Sequence, residues 1–152
     1  MAIDEADPAA PEALELIAAL DRDLSARYPG LPIHGIDAAS FREAGGVFLI
    51  GRLGGVPVAC GALRPMEHGA VEVKRMFVRD NYRGRGLGRA MLAALEEIAA
   101  QRGYAMVRLE TGGKQPEAIA LYESAGYGPI PCYGAHATDP RSRCFEKRIR
   151  QL

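Results

Sequence analysis

The sequence predicts an α/β (α+β) fold, a mixed, mainly antiparallel central sheet with helices on both faces. Three observations predict it. Two β-rich runs meet at a paired-glycine turn and lead into a third run, which makes an antiparallel meander. Strand patterns then alternate with helical apolar stripes, and a strand-helix-strand crossover sets two strands parallel. With 152 residues and 48% hydrophobic content, the chain can bury one core, so residues 1–152 are expected to form a single domain.

Over residues 11–24, Ala13, Leu16, Ile17, Leu20 and Leu24 recur at helical spacing behind Pro11, a residue suited to a first turn. Residues 28–40 hold Pro29, Gly30, Pro32 and Gly35 and read as a surface loop close to a substrate. Residues 47–52 and 56–63 form a hairpin about Leu53-Gly54-Gly55, and after a turn at 67–69 the run 71–78 adds the third strand. Met91, Leu92, Leu95, Ile98 and Ala99 then give residues 85–102 one apolar stripe, closed by Gly103.

Residues 105–110 are a short strand, and residues 116–125 a helix opened by Pro116 and stopped by Gly126. The glycine- and proline-rich stretch 127–141 precedes a half-exposed strand at 143–150, where Phe145 and Ile149 stand among charged residues. The predicted order is helix, hairpin, strand, helix, strand, helix, strand, strand. No internal repeat or low-complexity tract interrupts it.

Lys plus Arg and Asp plus Glu both number 19, so no overall charge draws the chain to nucleic acid or an anionic membrane. The first residues lack a secretory pattern and no window of 18 apolar residues occurs, which places the expected protein in the cytoplasm. Cys60, Cys132 and Cys144 form an odd set without C-x-x-C spacing and read as buried or idle thiols rather than a disulfide framework. His34, His68 and His136 are scattered, so no metal is expected, and the absence of G-x-S-x-G leaves hydrolase chemistry little support.

The informative segment is Arg83-Gly84-Arg85-Gly86-Leu87-Gly88, directly before the apolar stripe. Glycine lets backbone approach a ligand, and unpaired amides at the positive end of a helix favour an anion. A G-x-G-x-x-G would need glycine where Arg89 stands, and no G-K-[ST] follows, so dinucleotide and ATP readings weaken. Lys74, Arg75, Arg79, Arg83, Arg85 and Arg89 face the single acid Asp80 in this stretch, a local surplus suited to several phosphates.

Arg83-x-x-Gly86-x-Gly88 resembles the [QR]-x-x-G-x-[GA] signature of the GNAT N-acetyltransferases. The order of elements is similar too, with a strand at 106–111 and a helix bearing Leu121-Tyr122 before Gly126-Tyr127; the likeness runs over residues 45–150 or so. It implies the GNAT acyl-CoA N-acyltransferase fold, with acetyl-CoA as donor and a small-molecule or peptide amine as acceptor. It implies further that the amides of Arg83, Gly84, Arg85, Gly86, Leu87, Gly88 and Arg89 hold the pyrophosphate. Phe77 and Val78 would pair with the pantetheine arm between splayed strands, and amides from Met76 to Val78 would steady charge on the thioester oxygen. A homodimer is kept open as the assembly.

Two catalytic residues follow from the same likeness. An alkyl ammonium near about 10.4 needs a base, and Glu72, four residues before Met76, is the expected one, with burial raising its pKa. The alternative is a cross-strand ion pair with Arg64 or Lys74. Tyr122 corresponds to a tyrosine that protonates the departing thiolate, the alternative being a packed aromatic. Where many relatives carry Asn before this tyrosine, the chain has Lys114-Gln115-Pro116-Glu117. Tyr28, His34, Tyr133 and His136 are further candidates for lining the acceptor pocket. A coenzyme-binding module without transfer activity, acting as sensor or structural subunit, is the rival reading; a nucleic-acid binder lacks interleaved aromatics.

Overall fold

A computed structural model describes residues 1–31 and 37–150. Among these residues seven strands form one sheet in the order β1-β2-β3-β4-β5-β7-β6. The N-terminal meander is β1 (Ala2–Glu5), β2 (Val47–Leu53), β3 (Val56–Pro65) and β4 (Ala70–Val78), all antiparallel. The C-terminal half is β5 (Met106–Gly112), β6 (Gly128–Ile130) and β7 (Ser142–Arg148), with β7 between the other two. Among the described residues only β4 and β5 run parallel, through the crossover helix α3 (Leu87–Gln101). The predicted mixed sheet is therefore present, and Gly54 and Gly55 take φ of 55° and 81°, which closes the β2–β3 hairpin as their lack of Cβ allows.

Helix α1 (Pro11–Arg27) covers one face, where Leu16 and Leu20 meet Phe48, Ile50 and Phe77. Helices α3 and α4 (Pro116–Ser124) belong to the other face, where Met91, Leu92 and Leu95 meet Val71, Val73, Val107 and Leu109. Two short elements escape the periodicity argument. Strand β1 is largely exposed, and helix α2 (Ala38–Glu43) is one and a half turns capped by the Asp37 carboxylate on Ser40 N, 3.0 Å away. The expected loop at 28–40 thus gives way to a helix at its end, and residues 32–36 lie outside the described part.

The parallel ladder pairs Ala70 to Val73 with Met106 to Leu109 and stops there. Beyond it β4 stays with β3, and Glu110 to Gly112 stay with β7, so the two strands diverge. A bulge in β4 sharpens the divergence: Ala62 opposes Lys74 but Cys60 opposes Phe77, and Arg75 holds a positive φ of 57°. The extra residue reverses the alternation, so Val71 and Val73 face α3, and so do Met76 and Val78, while Phe77 turns towards α1. Arg75 is fixed by a 2.6 Å bond from Nη2 to Asp21 Oδ1 on α1.

The cysteines need a correction. Cys132 and Cys144 form a disulfide with Cα atoms 5.1 Å apart, because β7 returns beside the loop after β6. Their separation of 12 residues carried no sign of that return. Cys60 alone is a buried thiol, pushed up to about 12 by burial, with Sγ 3.2 Å from the Arg75 carbonyl oxygen.

Candidate active site

Beyond the end of the parallel ladder a cleft of about 600 Å³ opens between the end of β4 and the helices α1, α3 and α4. Met76, Phe77 and Val78 form one wall. Arg83, Gly84, Gly86, Leu87, Gly88 and Arg89 line the end at the start of α3. Tyr122 on α4 stands in the wall and also borders a smaller polar pocket of about 90 Å³ that holds Glu72. Of the residues expected to be catalytic or to bind the coenzyme, Arg85 lies off both cavities, its guanidinium 5.3 Å from the centre of the Tyr82 ring.

Backbone geometry makes the α3 end receptive. Gly86 is the N-cap with φ 79° and ψ 10°, a left-handed conformation costly for a residue with Cβ. No side chain caps the helix, and the first intrahelical bond is Ala90 N to Gly86 O at 3.1 Å, so the preceding amides are left for a ligand. A Cβ on Gly88 would stand 3.3 Å from Leu121 Cδ2 and crowd the cleft against α4. The cleft volume lies in the range of small-ligand sites, about 300–1,000 Å³. An elongated polyphosphate ligand such as acyl-CoA fits these features.

The arginine side chains are mostly committed to the protein itself. Arg83 donates from Nε to the Val78 carbonyl at 2.9 Å and pairs with Asp80 at 2.7 Å; Arg79 donates to the Pro57 carbonyl at 3.0 Å. Arg89 bonds Ser124 on α4, and Arg27 of α1 pairs with Glu117 of α4. The cluster read as a charge surplus therefore divides, and main-chain amides rather than guanidinium groups dominate the α3 end.

Glu72 is 1% exposed yet ionised. Burial alone raises its pKa, but His136, the charge of Lys74, and hydrogen bonds from Arg64 and Tyr133 together outweigh this and hold the carboxyl at about 2. Arg64 Nε and Nη2 donate to Oε1 at 3.0 and 2.6 Å; Tyr133 OH donates to Oε2 at 2.9 Å; His136 Nε2 lies 3.5 Å from Oε2. The expectation that burial would raise this pKa is thus corrected: four partners win over desolvation. The cross-strand pair with Arg64 is present, with the two residues in register.

Tyr122 is buried, and burial, followed by the charge of Glu110, pushes its phenol well up. Its ring meets Tyr127 edge-on at 6.0 Å, and its hydroxyl hydrogen-bonds no described residue. Tyr28 lies aside from the polar pocket, accepting from Lys114 N at 3.0 Å beneath Arg141. Tyr133 reaches Glu72, His136 lines the pocket, and His34 falls outside the described residues. The weight of His136 was missed because it stands on a one-turn helix, Gly134–His136, whose loop shows no periodicity; the disulfide at Cys132 is what returns that loop to the sheet.

The acetyltransferase (GNAT) family profile matches residues 14–127. A relative from Azospirillum brasilense named IAA acetyltransferase is 37% identical over 137 residues, which are 90% of this chain and 90% of that one. Among solved structures, a protein of Klebsiella pneumoniae subsp. pneumoniae MGH 78578, assigned as an acyl-CoA N-acyltransferase, superposes with a TM-score of 0.81 at 36% identity. The match covers 97% of this chain and 96% of that one. The paia N-acetyltransferase of Thermoplasma acidophilum, solved in complex with coenzyme A, shares the fold at a TM-score of 0.70 and 18% identity, over 98% of this chain and 100% of that one. A profile spanning most of the sequence and a relative matched over nine-tenths of both chains agree with the diverging strands and the glycine-capped helix: the chain belongs to the GNAT family of acetyltransferases.

Proposed function

We propose that the protein transfers an acetyl group from acetyl-CoA to a primary amine of a small molecule or peptide, by direct attack within a ternary complex. The observation that carries this is that two neighbouring cavities share Tyr122 in their walls, one reaching anion-receptive amides and the other a buried carboxylate. When bound, acyl-CoA supplies the thioester whose acyl group is transferred. The amides of residues 87–89 hold its phosphates, and the unpaired edge of β4 beyond Val73 receives its arm. Direct attack suits the cysteines, since Cys60 is buried with its thiol protonated and Cys132 is in a disulfide.

Within this proposal the proton of the acceptor leaves through the polar pocket. A carboxylate held at about 2 lies more than eight units below an alkyl ammonium near about 10.4, a gap of roughly 11 kcal/mol for full transfer. Glu72 therefore acts as the fixed anion that orients its partners, and His136 beside it takes the proton, imidazole being the commonest base in enzymes. His136→Gln is expected to lower kcat at pH 7 about 100-fold while leaving coenzyme A affinity intact. An unchanged kcat in a thiol-release assay removes His136 from this role.

The same assay, with acetyl-CoA and a library of amines, tests the function itself. Amine-dependent thiol release supports it, whereas coenzyme A binding without release favours the module that binds and does not transfer. Gly86→Val places a β-branched residue at φ 79° and is expected to raise the Kd for coenzyme A at least about tenfold, measured by calorimetry. A wild-type Kd in that variant would disconnect the helix start from the donor.

A further inference from the structure

The polar pocket contains one cation that touches no acid among the described residues. Glu72 is satisfied by Arg64, Tyr133 and His136. Arg75 gives Nη2 to Asp21, and Glu110 Oε2 accepts from Ser142 Oγ at 2.6 Å and lies 3.8 Å from His136 Nδ1. Lys74 differs. It lines the pocket half-buried, yet makes no hydrogen bond and no ion pair with any described residue. It feels Glu72 and Glu110 only at longer range, and burial pushes its pKa down.

A desolvated ammonium without a partner is costly, so a site that keeps one is built to gain a partner from outside. That partner must be an anion small enough for about 90 Å³, the share of roughly three water molecules in the liquid and sufficient for a carboxylate with its carbon. The register fixes where this anion sits. Lys74 follows Glu72 by two residues, so both side chains leave the same face of β4, opposite to Val73, and both line the pocket. A polyamine would bring a second cation against Lys74, whereas Glu110 on the same lining offers a negative group to the amine.

We propose that Lys74 binds the carboxylate of the acceptor and that the acceptors are amino acids, with amine and carboxylate on one small framework. This rests on the transferase reading given above and specifies its substrate class. An amino acid then meets complementary charge at both ends, and a peptide amino terminus, which has an amide in place of the carboxylate, does not.

The test is thiol release from acetyl-CoA with each of the common L-amino acids beside its primary amide, and with putrescine and spermidine. The expected result is at least one acid whose kcat/KM exceeds that of its amide by about 10- to 100-fold, the range for a hydrogen bond to a charged group. Lys74→Met, similar in length and uncharged, brings that margin to within about twofold, chiefly through KM of the acid, and Lys74→Arg restores most of it. Coenzyme A titration of each variant reports whether it is folded. The proposal is overturned if no acid exceeds its amide, if polyamines are preferred, or if Lys74→Met keeps the margin. Should no amine release thiol while coenzyme A still binds, the transferase reading fails by itself. The pocket is then judged by calorimetry of N-acetylglycine on the coenzyme-loaded protein: binding lost in Lys74→Met supports the proposal, and no binding to wild type overturns it.

Discussion

Tyr122→Phe is expected to lower kcat about 10- to 100-fold under saturating donor, with stability changed by less than about 1 kcal/mol. The two halves of this expectation come from the same geometry. The Tyr122 hydroxyl bonds no described residue, so deleting it orphans nothing, and the ring contact with Tyr127 survives. The chemical loss is set by the role left to a phenol in this place. A phenol near about 10 already lies uphill of a thiol near about 8.5 by roughly 2 kcal/mol as a proton donor, and burial takes Tyr122 further up. Complete transfer to a departing thiolate is therefore disfavoured. A charge-assisted hydrogen bond, worth about 1.5–3 kcal/mol, gives the stated range instead. Because the phenol stays protonated throughout the working pH range, Tyr122 adds no alkaline limb to the rate profile, and such a limb lost in Tyr122→Phe would contradict this role.

Glu72→Ala is expected to cost about 3–5 kcal/mol of stability at pH 7, the usual cost of removing one member of a buried charged network. It strips the Tyr133 hydroxyl, the Arg64 guanidinium and His136 of a shared acceptor at once. Glu72→Gln keeps the volume and loses the charge, so it separates packing from electrostatics. A carboxyl lowered from about 4.5 unfolded to about 2 folded contributes about 3 kcal/mol, fully present above about pH 5. That contribution is lost as pH falls through the window down to about 2. Urea denaturation of wild type and Glu72→Gln at pH 7 and pH 3 measures it, and the gap between them should narrow at the lower pH. An equal gap at both would mean that the carboxylate is not held low.

The meander, α3, β5 and α4 were legible because each repeats an apolar pattern over enough residues for the period to show. Strand β1 was not, since in Ala2–Glu5 only Ile3 is more than marginally apolar and the edge position buries little of it. Helix α2 packs Phe41 alone against the sheet, too little for a stripe. The bulge at Arg75 is invisible to an alternation rule, which assumes a constant period, and with it went the inversion that sends Phe77 to α1. At the candidate site, the helix start at residues 83–89 could be read because Gly84, Gly86 and Gly88 recur at every second position of one short run. The network on Glu72 could not, since Tyr133 reaches it across 61 positions. Its low pKa depends on Tyr133 and His136 as well as on Lys74 and Arg64, whereas local reasoning reached only the pair with Arg64 or Lys74.

The short parallel seam from Val71 and Val73 to Val107 and Leu109 has a mechanical meaning. Within the sheet, among the described residues, it is where the N-terminal meander and the C-terminal strands are stitched together. A small tilt widens or narrows the mouth without breaking a ladder, whereas widening any other strand pair would sacrifice hydrogen bonds. The bulk of these four aliphatic side chains, packed beneath α3, therefore bears on how far the two strands stand apart where the ladder ends.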